Sequence, residues 1–96
     1  MNNNNNNAWI FRDGAIEVKH TSFPYAYRAM FFAFKKGIEA KRNPDDMIKK
    51  MIIISPLKDA HGDFRQYSYT AATQMARSSG LLQPDGEINK NEFRRK

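Results

Sequence analysis

The residues best suited to chemistry lie in two acidic stretches and one histidine-led triplet. Asp59-Ala60-His61-Gly62-Asp63 brings an imidazole and two carboxylates into five residues, ligand types that suit a divalent cation. Asp and Gly are equally what a hairpin turn demands, and no second ligand cluster accompanies them, so the stretch reads as a turn. Asp85-Gly86-Glu87-Ile88-Asn89-Lys90-Asn91-Glu92 matches the second half of a calcium-binding EF-hand loop. Positions one and three of such a loop would be Leu81 and Gln83, and leucine offers no side-chain oxygen. No metal site and no cofactor are therefore expected. His20-Thr21-Ser22 sets a base beside two hydroxyls, yet Ser and Thr ahead of a helical run act first as caps. With two histidines, no cysteine and no glycine-rich phosphate loop, the expectation is a chain that binds rather than one that catalyses.

The cations point toward what it would bind. Sixteen Lys and Arg against 10 Asp and Glu leave a formal charge of +6, a balance that favours polyanionic partners. Lys35, Lys36, Lys41 and Arg42 fall at the end of a long helical pattern, with Lys49 and Lys50 shortly after, so helix geometry can gather them at one end and hold phosphates there. The plainer reading is that these cations complement the negative end of the helix dipole. Arg65, Tyr67 and Tyr69 lie in an alternating stretch that could present rings for base stacking, although tyrosines in such a strand also pack into cores.

These residues need elements to hold them, and 96 residues provide for one domain with one core. Hydrophobic residues make up 41% of the chain, enough to offset the entropy of ordering it. The absence of cysteine removes disulfides and thiolate sites and agrees with a cytoplasmic setting. The longest apolar run, Ala29 to Phe34, is far short of the roughly 20 residues that span a bilayer, so no transmembrane segment is expected. Asn2 to Asn7 offers nothing to bury and reads as a disordered leader, residues 1–7.

From Ala8 to Lys19 an Asp13-Gly14 pair separates two β-prone runs, a hairpin signal. A loop of those two residues would pair Phe11 with Ile16 and Trp9 with Val18 on the core face, leaving Ile10 on the other. Thr21 or Ser22 can cap a helix with Pro24 in its first turn, running to about Ala40. On it Phe23, Tyr27, Met30, Phe31, Phe34 and Ile38 share a stripe of core-facing width. Ala26, Ala29, Ala33, Gly37 and Ala40 form an adjoining small-residue stripe that would let a neighbour approach closely. Tyr25 and Phe32 sit near the polar border and are left as candidates for an exposed interface.

Asn43-Pro44-Asp45-Asp46 is a helix start, and Met51-Ile52-Ile53-Ile54 is a β-branched run that Ser55-Pro56 would end. Residues 44–54 can thus be helix, strand or both in succession. Phe64 to Tyr69 can pair back on the isoleucines with Met51, Ile53, Tyr67 and Tyr69 on one face. A second helix from about Thr70 ends at Gly80, with Leu81 as its capping contact. A partial likeness between Tyr25-Ala26-Tyr27-Arg28-Ala29 and Tyr67-Ser68-Tyr69-Thr70-Ala71 is close to chance and implies no duplication.

The expected fold is a small α+β domain over residues 8–82, two β-hairpins alternating with two helices (ββαββα), with an antiparallel sheet on a long central helix. Residues 83–96 read as a turn and a charged tail. Ile10, Ile52 and Ile54 then fall on the sheet face opposite the core, where a helix, a second copy of the chain or another protein would cover them. Three functions follow: a basic binding or regulatory module contacting nucleic acid through its Lys/Arg patch, a protein-interaction or self-association module using that apolar face, or a peripheral membrane role in which the basic end of the long helix meets anionic lipid.

Overall fold

A computed structural model describes residues 8–93; the leader expected at 1–7 and the last three residues of the expected tail lie outside them. The described chain is an α+β domain in the order ββαββα, with a short extra helix before the second hairpin. Strands β1 (Trp9–Asp13), β2 (Ile16–His20), β3 (Met51–Lys58) and β4 (Phe64–Ser68) form one antiparallel sheet in the order β2-β1-β3-β4. Helices α1 (Phe23–Glu39), α2 (Pro44–Lys50) and α3 (Tyr69–Ser78) share a single core with the sheet.

The first hairpin forms two residues out of the expected register. Phe11 pairs with Val18 and Trp9 with His20, while Asp13 pairs with Ile16 across a loop of Gly14 and Ala15. Gly14 has φ +65° at the first loop position, where a type II′ turn takes glycine. The reason is tertiary. Asp13 also pairs with Met51 in the β1–β3 ladder, and its carboxylate accepts two hydrogen bonds from Arg42 at 3.0 and 3.3 Å, so it is held as strand rather than released to the turn. A slip of two preserves the faces. Ile16 and Val18 nevertheless remain exposed, because β2 is an edge strand that α1 covers incompletely.

Helix α1 starts with Ser22 at the N-cap position and Pro24 in its first turn, although the Ser22 side chain makes no capping hydrogen bond. Its most buried line follows the border between the two expected stripes: Ala26, Tyr27, Met30 and Gly37 are buried, while Ala29, Ala33, Phe23, Phe31 and Phe34 are half-buried, Ala40 is exposed and Ile38 is 42% exposed. At its C-terminal end the helix lies close against α2, where a Cβ at Gly37 would overlap the Met47 sulfur. The larger rings instead fill the flank toward α3, where the Tyr27 hydroxyl lies 3.3 Å from Thr73 Oγ1 and the Phe34 and Tyr69 rings are 4.9 Å apart.

Asn43 caps α2, its side chain accepting from the Asp46 N–H at 3.0 Å, with Asp45 and Asp46 at the positive end of the helix dipole. Strand β3 follows at once and, unlike the expectation, continues through Ser55-Pro56 to Lys58. Proline is tolerated because the β3–β4 ladder is irregular between Ile54 and Lys58, so no ladder donor is lost there. Ile53 stands opposite Tyr67, on one face as expected, but Tyr69 leaves the sheet as the first residue of α3, whose cap Ser68 accepts from the Ala71 N–H.

Beyond α3 the chain reverses at Gly80, φ +83°, and the Leu82 N–H returns to the Ala76 carbonyl. The stretch from Gln83 to Phe93, read from the sequence as turn and tail, folds back. Leu82 bridges Ile88, the Asn89 N–H reaches the Leu81 carbonyl at 2.7 Å, and Leu81, Leu82 and Ile88 are all buried. A 3₁₀ turn, Lys90–Phe93, then lays the Phe93 ring 5.1 Å from that of Tyr25 on α1.

Candidate interaction surface

Alternation along β3 separates the two faces of the sheet: Met51, Ile53 and Ser55 are buried, whereas Ile52 and Ile54 are half-buried. Phe11, Met51 and Ile53 belong to the core that the three helices and the 80–93 segment close over. Ile10, Ile52 and Ile54 neither belong to that core nor pack against it. Ile10 stands directly opposite Ile54 across the β1–β3 ladder, and Ile52 stands between Arg12 and Ser68. What shields them is their own cross-strand neighbours. Around this strip stand the Arg12–Glu17 ion pair (3.3 Å), Lys19, Gln66, and the exposed Phe64 ring with Lys58 Nζ 5.3 Å from its centroid.

The nominated interface thus divides between two places. Tyr25 and Phe32 lie on α1, on the helical side, Tyr25 against Phe93 and Phe32 47% exposed.

The basic end is broken up by acids. Lys35 lies 3.7 Å from Glu87, Lys50 pairs with Asp46 at 3.1 Å, and Arg42 is taken up by Asp13, whose hydrogen bond raises the Arg42 pKa. Lys36, Lys41 and Lys49 are exposed and form no ion pair among the described residues. Arg65 is exposed on β4, away from this group. Tyr67 and Tyr69 are half-buried and pack against the core, and burial raises the Tyr69 pKa, so neither ring lies open as a stacking platform.

The acidic stretches are spent on their own backbones. Asp59 Oδ1 accepts from the N–H groups of His61 and Asp63, and Asp85 Oδ1 accepts from that of Glu87. These are the turns that aspartate commonly makes.

Sequence reasoning missed a cleft of about 600 Å³ between α1 and the returning C-terminal segment, with Arg28 and Phe32 on one wall and Asn89, Asn91 and Phe93 on the other. Arg28 stacks its guanidinium 4.1 Å from the Phe93 ring centroid and 5.1 Å from that of Tyr25. The spacing of Tyr25, Arg28 and Phe32 on one helix flank was readable, but the opposite wall exists only because residues 80–93 return. His20, read from the sequence only as a base beside two capping hydroxyls, is partly enclosed by the fold. Its Nε2 is buried with no hydrogen-bond partner among the described residues, and burial first, then the nearby Arg28 charge, lowers its pKa.

Fold and surface together define an α+β domain with a four-stranded antiparallel sheet, layered on one face and bare of described residues on the other. No protein-family model matches the chain, and no curated protein or solved structure is significantly similar to it. Among the described residues no helix is long and apolar enough to cross a membrane.

Proposed function

We propose that this domain is an interaction module whose working surface is the outer face of its sheet, and that it docks a protein with an apolar centre and acidic margins. The observation that carries this reading is the position of Ile10, Ile52 and Ile54 at the middle of that face, outside the core. An antiparallel sheet with one face in water ordinarily alternates apolar inward and polar outward. Here β3 keeps isoleucine on both sides. Fully burying an isoleucine is worth about 1.5–3 kcal/mol, and with these half-covered already a partner gains roughly 1 kcal/mol from each. Charge selects the partner's sign: the Arg12–Glu17 pair is internally balanced, Lys58 stands at the far margin beside the exposed Phe64 ring, and the whole chain carries +6. Two such chains repel one another, so an acidic partner fits this face better than a second copy does. The module is a binder rather than an enzyme, needs no cofactor, and with no cysteine suits the cytoplasm.

The test is site-specific photo-crosslinking in producing cells, with the crosslinking residue in place of Gln66 on the outer face or of Gln74 on α3. A discrete adduct from position 66, absent from position 74 and lost with Ile54→Asp, is the expected result. Equal, diffuse labelling from both positions would overturn the reading, and an adduct of twice the chain mass would replace the acidic partner with a second copy.

A second reading, contact with nucleic acid, is favoured by Lys36, Lys41 and Lys49, which have no carboxylate partner among the described residues. Three phosphate contacts give a slope of roughly −3 in log affinity against log salt, whereas apolar docking depends little on salt. Titration with mixed-sequence oligonucleotides at two salt concentrations separates the two.

A further inference from the structure

The cleft between α1 and the C-terminal segment lies on the helical side, away from the outer sheet face, and is independent of the function proposed above. Its floor is apolar, formed by Phe32 and the buried Ile88. Its volume, about 600 Å³, falls within the usual range of small-molecule sites, roughly 300–1,000 Å³. Arg28 supplies its fixed charge. With the Phe93 ring 4.1 Å from its centre and Tyr25 close by, the guanidinium has an aromatic ring against its face while its N–H groups radiate in its own plane. No carboxylate among the described residues forms an ion pair with it. Glu87, the acid in the lining, is engaged by Lys35 at 3.7 Å, and the nearby His20 has its charged form disfavoured by burial. Gln83, Asn91 and Lys90 add donors at the rim.

We infer that this cleft binds a small organic carboxylate with a flat apolar body, its carboxylate forked by Arg28 and its body laid on Phe32 and Ile88. The chemistry favours a carboxylate because a planar two-oxygen anion matches the guanidinium fork with two parallel hydrogen bonds. It favours an apolar body because the floor offers carbon, not donors.

The test uses the full chain and benzoate as probe, followed by amide chemical shifts, with neutral benzamide as the isostere lacking charge. Saturable shifts at residues 87–93 are expected with benzoate, and affinity about ten-fold to a hundred-fold weaker for benzamide, the worth of a charge-assisted hydrogen bond. Arg28→Lys keeps the charge and loses the fork, and about a ten-fold loss is expected. Phe32→Ala, at an exposed ring, should weaken benzoate and benzamide alike. Inorganic phosphate binding as tightly as benzoate would reduce the site to a plain anion site and overturn the carboxylate assignment. Equal binding of benzoate and benzamide would overturn the carboxylate assignment, and no saturable shift with benzoate would overturn the site itself; because both comparisons use the unaltered chain, they stand even where an Arg28 variant fails to fold.

Discussion

The two faces of β3 are made from nearly the same residues and meet opposite fates. Ile53 and Met51 are wholly enclosed by helices, while Ile52 and Ile54, one position away on either side of Ile53, look outward with only cross-strand neighbours beside them. Residue type does not distinguish the pair of faces; the layering does. A continuous apolar run normally belongs to a strand covered on both sides. A run of this kind in a sheet layered on one side leaves an apolar strip for something else to cover.

The strongest way to break this contrast is to truncate both faces equally. Ile53→Ala should lose about 2–5 kcal/mol of unfolding free energy in a urea titration, the range for a buried isoleucine. Ile54→Ala should lose under about 1 kcal/mol, as expected where the side chain is already partly wetted. Equal losses would mean that the outer face is packed after all.

Gly37 sharpens the comparison from the covered side. A methyl at an ordinary helix position stabilises by about 1 kcal/mol relative to glycine, but at Gly37 it meets Met47, and overpacking costs roughly 1–3 kcal/mol. Gly37→Ala should therefore be destabilising by about 1 kcal/mol on the same titration. A stabilised variant would show that α1 and α2 are less tightly apposed than described.

A smaller effect should come from pH. His20 has its pKa lowered by burial and by Arg28, so the folded state takes up its proton less readily than the unfolded chain. Its contribution is complete above the unfolded pKa of about 6.5 and is lost as pH falls from there through the lowered folded value. Stability measured at pH 7.5 and at 5 should fall with acidification, and His20→Phe should flatten that dependence. An unchanged slope in the variant would assign the acid sensitivity to other groups.

The smallest expected effect lies on the outer face. Replacing Ile52 and Ile54 together by Thr, a β-prone residue, should leave the melting temperature within a few degrees of the unaltered chain. The Gln66 adduct should vanish at the same time. Its survival would remove the isoleucine strip from the interaction.

Most of the elements were legible because their signals are local. Ser22 and Asn43 stand at helix starts, Gly80 takes the left-handed conformation after α3, and alternation from Phe64 marked the strand and put Tyr67 on the face of Ile53. Local signals therefore carry the α+β class, the order ββαββα and the placing of Ile10, Ile52 and Ile54 on one face of the sheet. Tertiary structure decided the rest, through contacts between residues far apart in the chain. Asp13 is held in β1 by Arg42, 29 residues away, and the first hairpin moves its register accordingly. The close approach of α1 to α2 depends on Met47 lying where a side chain at Gly37 would be, and the Arg28 cleft exists only because Ile88 finds a place in the core. Periodicity reports which side chains share a face, but which face is covered depends on where other layers stack, and no local pattern encodes that.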